Sequence, residues 1–207
     1  CTEVAIAYAL ARSSDVRCLL LDLDLDAPAV AVRLGLQPRP DLTDAADAVR
    51  AGRELAPGCS HQVGRLDVIP GSHRPSEPLL KGALVEGVLR ASRSGWAEVV
   101  ADVGASRSGM SVVAEADEAI LVVNSSPLGI VRAAQLVASW LGPAPALVLN
   151  RVQLGSRRDV VDATRRWTGL EPAVVLPDRR QVSSAASAGK APDRRFARAV
   201  GQLGGSS

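Results

Sequence analysis

Short apolar runs alternate along this chain with longer stretches in which apolar residues recur every three or four positions. The runs predict buried strands and the stretches amphipathic helices; their alternation predicts an α/β fold, a parallel sheet with crossover helices on both faces. Val4, Ala7, Tyr8 and Ala11 share one face of a helix expected over 2–12. Val16 to Leu21 reads as a strand closing on Asp22. Short helices are expected near 28–34 and 42–51, on either side of a Pro-rich turn at 38–40. A strand over 66–69 stops at Pro70-Gly71, a turn signal. A helix over 77–92, a strand from Ala97 to Ala101 ending on Asp102, a short helix and a strand from Ala119 to Val123 ending on Asn124 follow. Next come a helix over about 128–141, a strand from Ala146 to Leu149 ending on Asn150, and a helix over 156–167. A weak strand at 173–176 and helices near 180–188 and 192–203 complete the chain. No internal repeat or low-complexity linker breaks the pattern, so residues 1–207 read as one domain.

Several of these strands end in a polar side chain: Asp22, Asp102, Asn124 and Asn150. The carboxyl ends of parallel strands lie along one edge, and ligands bind in the crevice there. The four residues are therefore expected to converge. The sharpest segment is LLLDLDLD, residues 19–26, in which a buried strand delivers Asp22 to the edge and Asp24 follows in the loop. Carboxylates so placed can hold a hydrated Mg²⁺ and orient a water for attack on phosphate. They can equally cap the helix near 28, since Asp is a good N-cap.

Composition excludes some alternatives. The apolar content comes from Ala, Val and Leu, with three Trp, one Tyr and one Phe, which suits helices packed closely on a parallel sheet. No apolar run approaches the roughly 18 residues of a membrane span. The cysteines Cys1, Cys18 and Cys59 have no metal spacing and read as reduced thiols of a cytoplasmic protein. His61 and His73 read as surface residues. The chain opens on Cys1 and runs straight into a helix, so it reads as part of something longer. Net charge is −4 over residues 1–150 and +6 over 151–207. The basic portion suits the solvated faces of surface helices, or contact with DNA or an anionic membrane. Phe196, Val200 and Leu203 fall on one face of the last helix, which predicts core packing rather than a membrane-targeting face.

The stretch LLLDLDLDAPAVAVRLGL (19–36), with LTDAADAV (42–49) after it, resembles the DxD region of MinD/ParA-type P-loop ATPases, nearest the CpaE/TadZ-like branch with its actinobacterial and septum-site-determining relatives. VIPGS (68–72), EVVADVGAS (98–106), ADEAILVVNSSPLGIVRAAQLV (116–137), LVLNRV (147–152) and LPDRRQVSSAASAGKAP (176–192) extend the resemblance in order to about residue 200. It implies ATP and Mg²⁺ as ligands. Asp22 would belong to the Mg²⁺ and switch network, and Asp24 would orient the attacking water. Asp102 would be the Walker B acid, Gly104 the switch glycine, Asn150 a partner of the adenine edge, and Pro177 and Asp178 the frame of the base. The family's phosphate loop ends in Gly-Lys-Thr-Thr. Aligning the helix puts Cys1 at the lysine, Thr2 at the Mg²⁺-binding hydroxyl and Glu3 at the second threonine.

A thiol cannot supply the charge with which that lysine neutralises phosphates, so hydrolysis is expected to be weak or lost. Binding can survive on backbone N–H groups and the helix dipole. The resemblance further implies a homodimer that positions a pilus, secretion or division complex. The alternatives are an active partition-type ATPase that binds DNA non-specifically and a nucleotide-free scaffold. It also implies that the family's first strand and phosphate loop are missing, leaving an unfilled slot beside the strand at 16–22.

Overall fold

The computed structural model of the chain describes residues 2–55, 57–73, 83–105, 109–178, 194–201 and 203. Cys1, the start of the helix expected over 77–92, the helix near 180–188 and most of the segment 176–192 lie outside them.

The opening helix α1 (Thr2–Arg12) leads to β1 (Cys18–Asp22), then α2 (Val30–Leu34) and α3 (Leu42–Arg50). Asp41 fixes the start of α3 through a reciprocal cap, accepting from the Thr43 N–H at 2.8 Å while the Asp44 carboxylate accepts from the Asp41 N–H at 2.9 Å. The hairpin strands β2 (His61–Val63) and β3 (Leu66–Ile69) follow, then α4 (Ala83–Gly95), β4 (Glu98–Asp102) and α5 (Met110–Ala114). Next come β5 (Ile120–Asn124), α6 (Pro127–Val137), β6 (Ala146–Val152), α7 (Arg157–Thr168), β7 (Pro172–Pro177) and α8 (Arg194–Gly201). Ser126 starts α6 by accepting from the Gly129 N–H at 3.1 Å, with Pro127 in the first turn. Sequence periodicity does not reveal β2, a short edge strand antiparallel to β3. It also makes His61 half-buried rather than a surface residue, with Nε2 2.9 Å from the Pro40 carbonyl oxygen.

The strands form two sheets, in the orders β2-β3-β1-β4 and β5-β6-β7. Apart from β2, all pairing is parallel. Side chains of β1 alternate between two cores, as the period of a strand requires. Leu19 and Leu21 pack with α3 and α4, whereas Cys18 and Leu20 pack with Ile6 and Ala9 of α1 and Val30 of α2. The second sheet is covered likewise, by α6 and α7 on one face. On the other face Val4, Ala7 and Tyr8 of α1 join Phe196 and Val200 of α8. The last helix is thus part of the core, as its pattern predicts, and α1 straddles both sheets.

That helix also sets their relative direction. Its end meets the start of β4, where Arg12 Nε donates to Glu98 at 2.7 Å. Its beginning meets the end of β6, where Glu3 pairs with Arg151 at 3.3 Å. Both sheets therefore run antiparallel to α1 and parallel to each other.

Between them lies a cleft of about 830 Å³, lined on one side by all of β4 and on the other by all of β5. Val4, Ala5 and Tyr8 of α1 and Leu89 and Trp96 from the α4 side also line it. An unfilled slot is present, but one strand away from the expected position. β1 has no open edge because it pairs with both β3 and β4, so the gap falls on the far side of β4. Among the described residues no strand pairs with β4 or β5 across it.

Candidate functional site

The parallel strands bring their polar ends to one rim. Asp22 and Asp102 are register partners on β1 and β4, and Asn124 and Asn150 are register partners on β5 and β6. Asp102 and Asn124, at the ends of the strands on its two sides, both line the cleft. Pro177 ends β7 opposite Val152, and the Asp178 N–H donates to the Val152 carbonyl at 2.9 Å. Asp22, Asp102, Asn150, Pro177 and Asp178 thus stand in a row, and the first turn of α1, with Thr2 buried in it, reaches the rim through Glu3.

The acidic side chains differ in what they do there. Asp22 is wholly buried. It accepts from the Asp24 N–H at 3.2 Å and from the Val30 N–H at 3.1 Å. Burial pushes its carboxyl up to about 6, and the charge of Asp102 adds to the rise; N–H donors from Val30, Asp24 and Gly71 pull the other way. The helix-capping alternative is therefore realised by Asp22, which satisfies the first N–H of α2. Gly71 leaves room for it: a Cβ there would lie 3.2 Å from the Asp22 carboxyl carbon and 2.5 Å from Pro28.

Asp24 accepts from the Ala27 N–H at 3.0 Å, and its carboxylate lies over Gly104. Gly104 holds φ +66°, and a Cβ on it would fall within 2.3 Å of that carboxylate. The loop after β1 and the loop after β4 can interlock only with glycine at this position.

Asp102 is buried and donates nothing to the loop but accepts from the Gly104 N–H at 3.2 Å through Oδ1. Its Oδ2 is buried with no hydrogen-bond partner. A buried acceptor left in this way carries a free-energy cost, and this one sits where a donor could enter the cleft. No group of three His, Cys, Asp or Glu able to hold a metal occurs among the described residues. Two carboxylates, one with a vacant oxygen, still fit a magnesium ion that keeps most of its own water.

Asn150 turns its Oδ1 back to the Arg151 N–H at 2.9 Å. Arg151 follows with φ 60°, and its carbonyl accepts from the Ser125 hydroxyl at 2.7 Å, tying the ends of β5 and β6 together. Sequence reasoning missed Arg151 and Arg33, which both reach Glu3. No periodicity signals an ion pair between residues 148 positions apart.

No protein-family model matches the sequence, and no curated protein matches it. Solved structures do. A ParA family ATPase from Chlorobium tepidum TLS superposes with a TM-score of 0.82 at 20% identity, over 98% of this chain and 92% of that one. The MinC:MinD cell division protein complex of Aquifex aeolicus gives 0.78 at 19% identity, over 100% and 91%. The septum site-determining protein MinD of Pyrococcus horikoshii OT3, complexed with Mg-ADP, gives 0.69 at 19% identity, over 98% and 88%. At these identities the likeness establishes the architecture: this chain has the fold of the ParA and MinD ATPases.

Proposed function

We propose that this chain is the ATP-binding domain of a ParA/MinD-type positioning protein, nearest the CpaE/TadZ-like branch, with hydrolysis weak or absent. The observation that carries this reading is that Asp102 and Asn124 line one cleft from its two sides, with Asp22 and Asn150 beside them in register. A carboxylate side and an amide side on one rim suit a ligand with a metal-bound polyphosphate at one end and a hydrogen-bonding base at the other.

In this reading Asp102 and Asp22, together with the Thr2 hydroxyl, would hold Mg²⁺. That ion, when bound, offsets charge on the phosphates. Asp24 orients water, while Asn150, Pro177 and Asp178 receive the adenine. In the alignment of the opening helix with the family's phosphate loop, Cys1 takes the place of the phosphate-binding lysine. An extended apolar segment leading into α1 fills the cleft between β4 and β5, because an apolar strand there would hydrogen-bond two facing edges at once. The protein acts in the cytoplasm as a homodimer that recruits a pilus, secretion or division complex. No described helix is long and apolar enough to cross a membrane.

The test is MgATP binding and phosphate release by the full-length protein and its Asp24→Ala variant. The expected result is saturable binding by both, with release near background. Release that is well above background and abolished by Asp24→Ala would replace this reading with that of an active ATPase. Absence of binding would leave a nucleotide-free scaffold.

A second reading, non-specific DNA binding, draws on the exposed Arg157, Arg158, Arg165 and Arg166 of α7. It requires affinity for duplex DNA that falls steeply with salt.

A further inference from the structure

Arg33 and Arg151 approach the first turn of α1 from different parts of the rim and end on one carboxylate. Glu3 Oε1 lies 2.8 Å from Arg33 Nη1 and 3.3 Å from Arg151 Nη2. Glu3 is buried while both arginines retain contact with solvent. Burial opposes its ionisation, but hydrogen bonding to its own N–H and the two guanidiniums hold its carboxyl below the usual range. The cluster is therefore one negative and two positive charges, a net positive unit at the end of a helix whose peptide dipoles are also positive there. In addition, Arg33 Nε is buried without a partner. That N–H is left for another acceptor, because Glu3 meets Arg33 through Nη1.

These features bear on the charge that Cys1 cannot provide. Resting on the nucleotide-binding reading above, we propose that Arg33 and Arg151 supply the positive charge this rim presents to a polyphosphate, with Glu3 as the internal acceptor that holds both guanidiniums in position. Guanidinium forks match phosphate oxygens in pairs, and Glu3 neutralises only one of the two. Arg33 belongs to α2, whose first N–H is held by Asp22, so an anion drawn to Arg33 is placed beside the carboxylates of the rim. Arg151 follows Asn150 directly, which sets the second cation on the amide side.

Calorimetric titration of the full-length protein with MgATP, and separately with adenosine, tests this. Arg33→Gln and Arg151→Gln should each weaken MgATP binding about tenfold or more while adenosine binding stays unchanged. Arg33→Lys and Arg151→Lys should recover part of the loss. Glu3→Gln should bind MgATP at least as tightly as the wild type, since the amide Oε1 still accepts from both guanidiniums while the competing negative charge is gone. The inference is overturned if the glutamine variants bind MgATP like the wild type, or if they lose adenosine and MgATP together. Loss of MgATP binding in Glu3→Gln comparable to that in the arginine variants overturns it as well. A wild-type protein that binds neither ligand overturns the underlying reading and this inference with it.

Discussion

β1 and β4 are neighbours with the same kind of sequence, an apolar run that ends on Asp, yet they are finished differently. Every residue of β1 is buried and both its edges are paired. In β4 only Asp102 is fully buried, and one edge faces the cleft. The terminal aspartates repeat the contrast: Asp22 takes several backbone donors, whereas Asp102 keeps one oxygen without a partner. Hydrophobic pattern reports how apolar a strand is, but pairing decides whether it is closed. The closed strand forms the scaffold, and the open one borders the site.

The contrast predicts unequal costs for truncating the two strands. Leu20→Ala, on the closed strand, should destabilise by roughly 3–5 kcal/mol in urea unfolding, since Leu20 is fully buried. Val100→Ala, on the open strand, should cost about 1 kcal/mol or less, because it removes two methyl groups from a half-exposed position. Both variants are made in residues 1–207 alone, where nothing described covers that edge of β4; equal costs would mean that the cleft is closed in that chain.

The next largest effect concerns Asp22. Its folded-state carboxyl titrates near 6, above the ordinary 3.8. The folded state therefore holds a proton that the unfolded chain releases earlier. The resulting stabilisation is complete below about pH 4 and is lost as pH rises through 6. It amounts to at most about 3 kcal/mol. Asp22→Asn should flatten the stability profile over this window; an unchanged profile would show that Asp22 titrates normally.

Smaller still is the glycine that lets the two loops interlock. Gly104→Ala should cost about 1–2 kcal/mol from its left-handed φ, plus displacement of Asp24. Gly52 shares that backbone conformation, at φ +67°, but has open space around it. Gly52→Ala should therefore cost less in thermal melts, and equal costs would show that the contact between Asp24 and Gly104 contributes nothing.

Much of this was legible in the sequence because it is local. Apolar runs closing on Asp22, Asp102, Asn124 and Asn150 became strands with those ends, and parallel pairing gathered them at one rim. The order of strands was less legible, because lateral pairing leaves no periodicity; the slot was therefore expected beside β1 and lies beyond β4. The convergence of Arg33 and Arg151 on Glu3 depends on three elements meeting in space, and β2 is too short to carry an alternating pattern.

The central claim is that the carboxylate and amide sides of the cleft belong to one nucleotide site. A crystal structure of the full-length protein with Mg²⁺ and a non-hydrolysable ATP analogue tests it most directly. The account predicts the triphosphate over the first turn of α1, a metal-bound water on Asp102 and the base beside Asn150 and Pro177. Density for the analogue elsewhere, or none at saturating concentration, would contradict it.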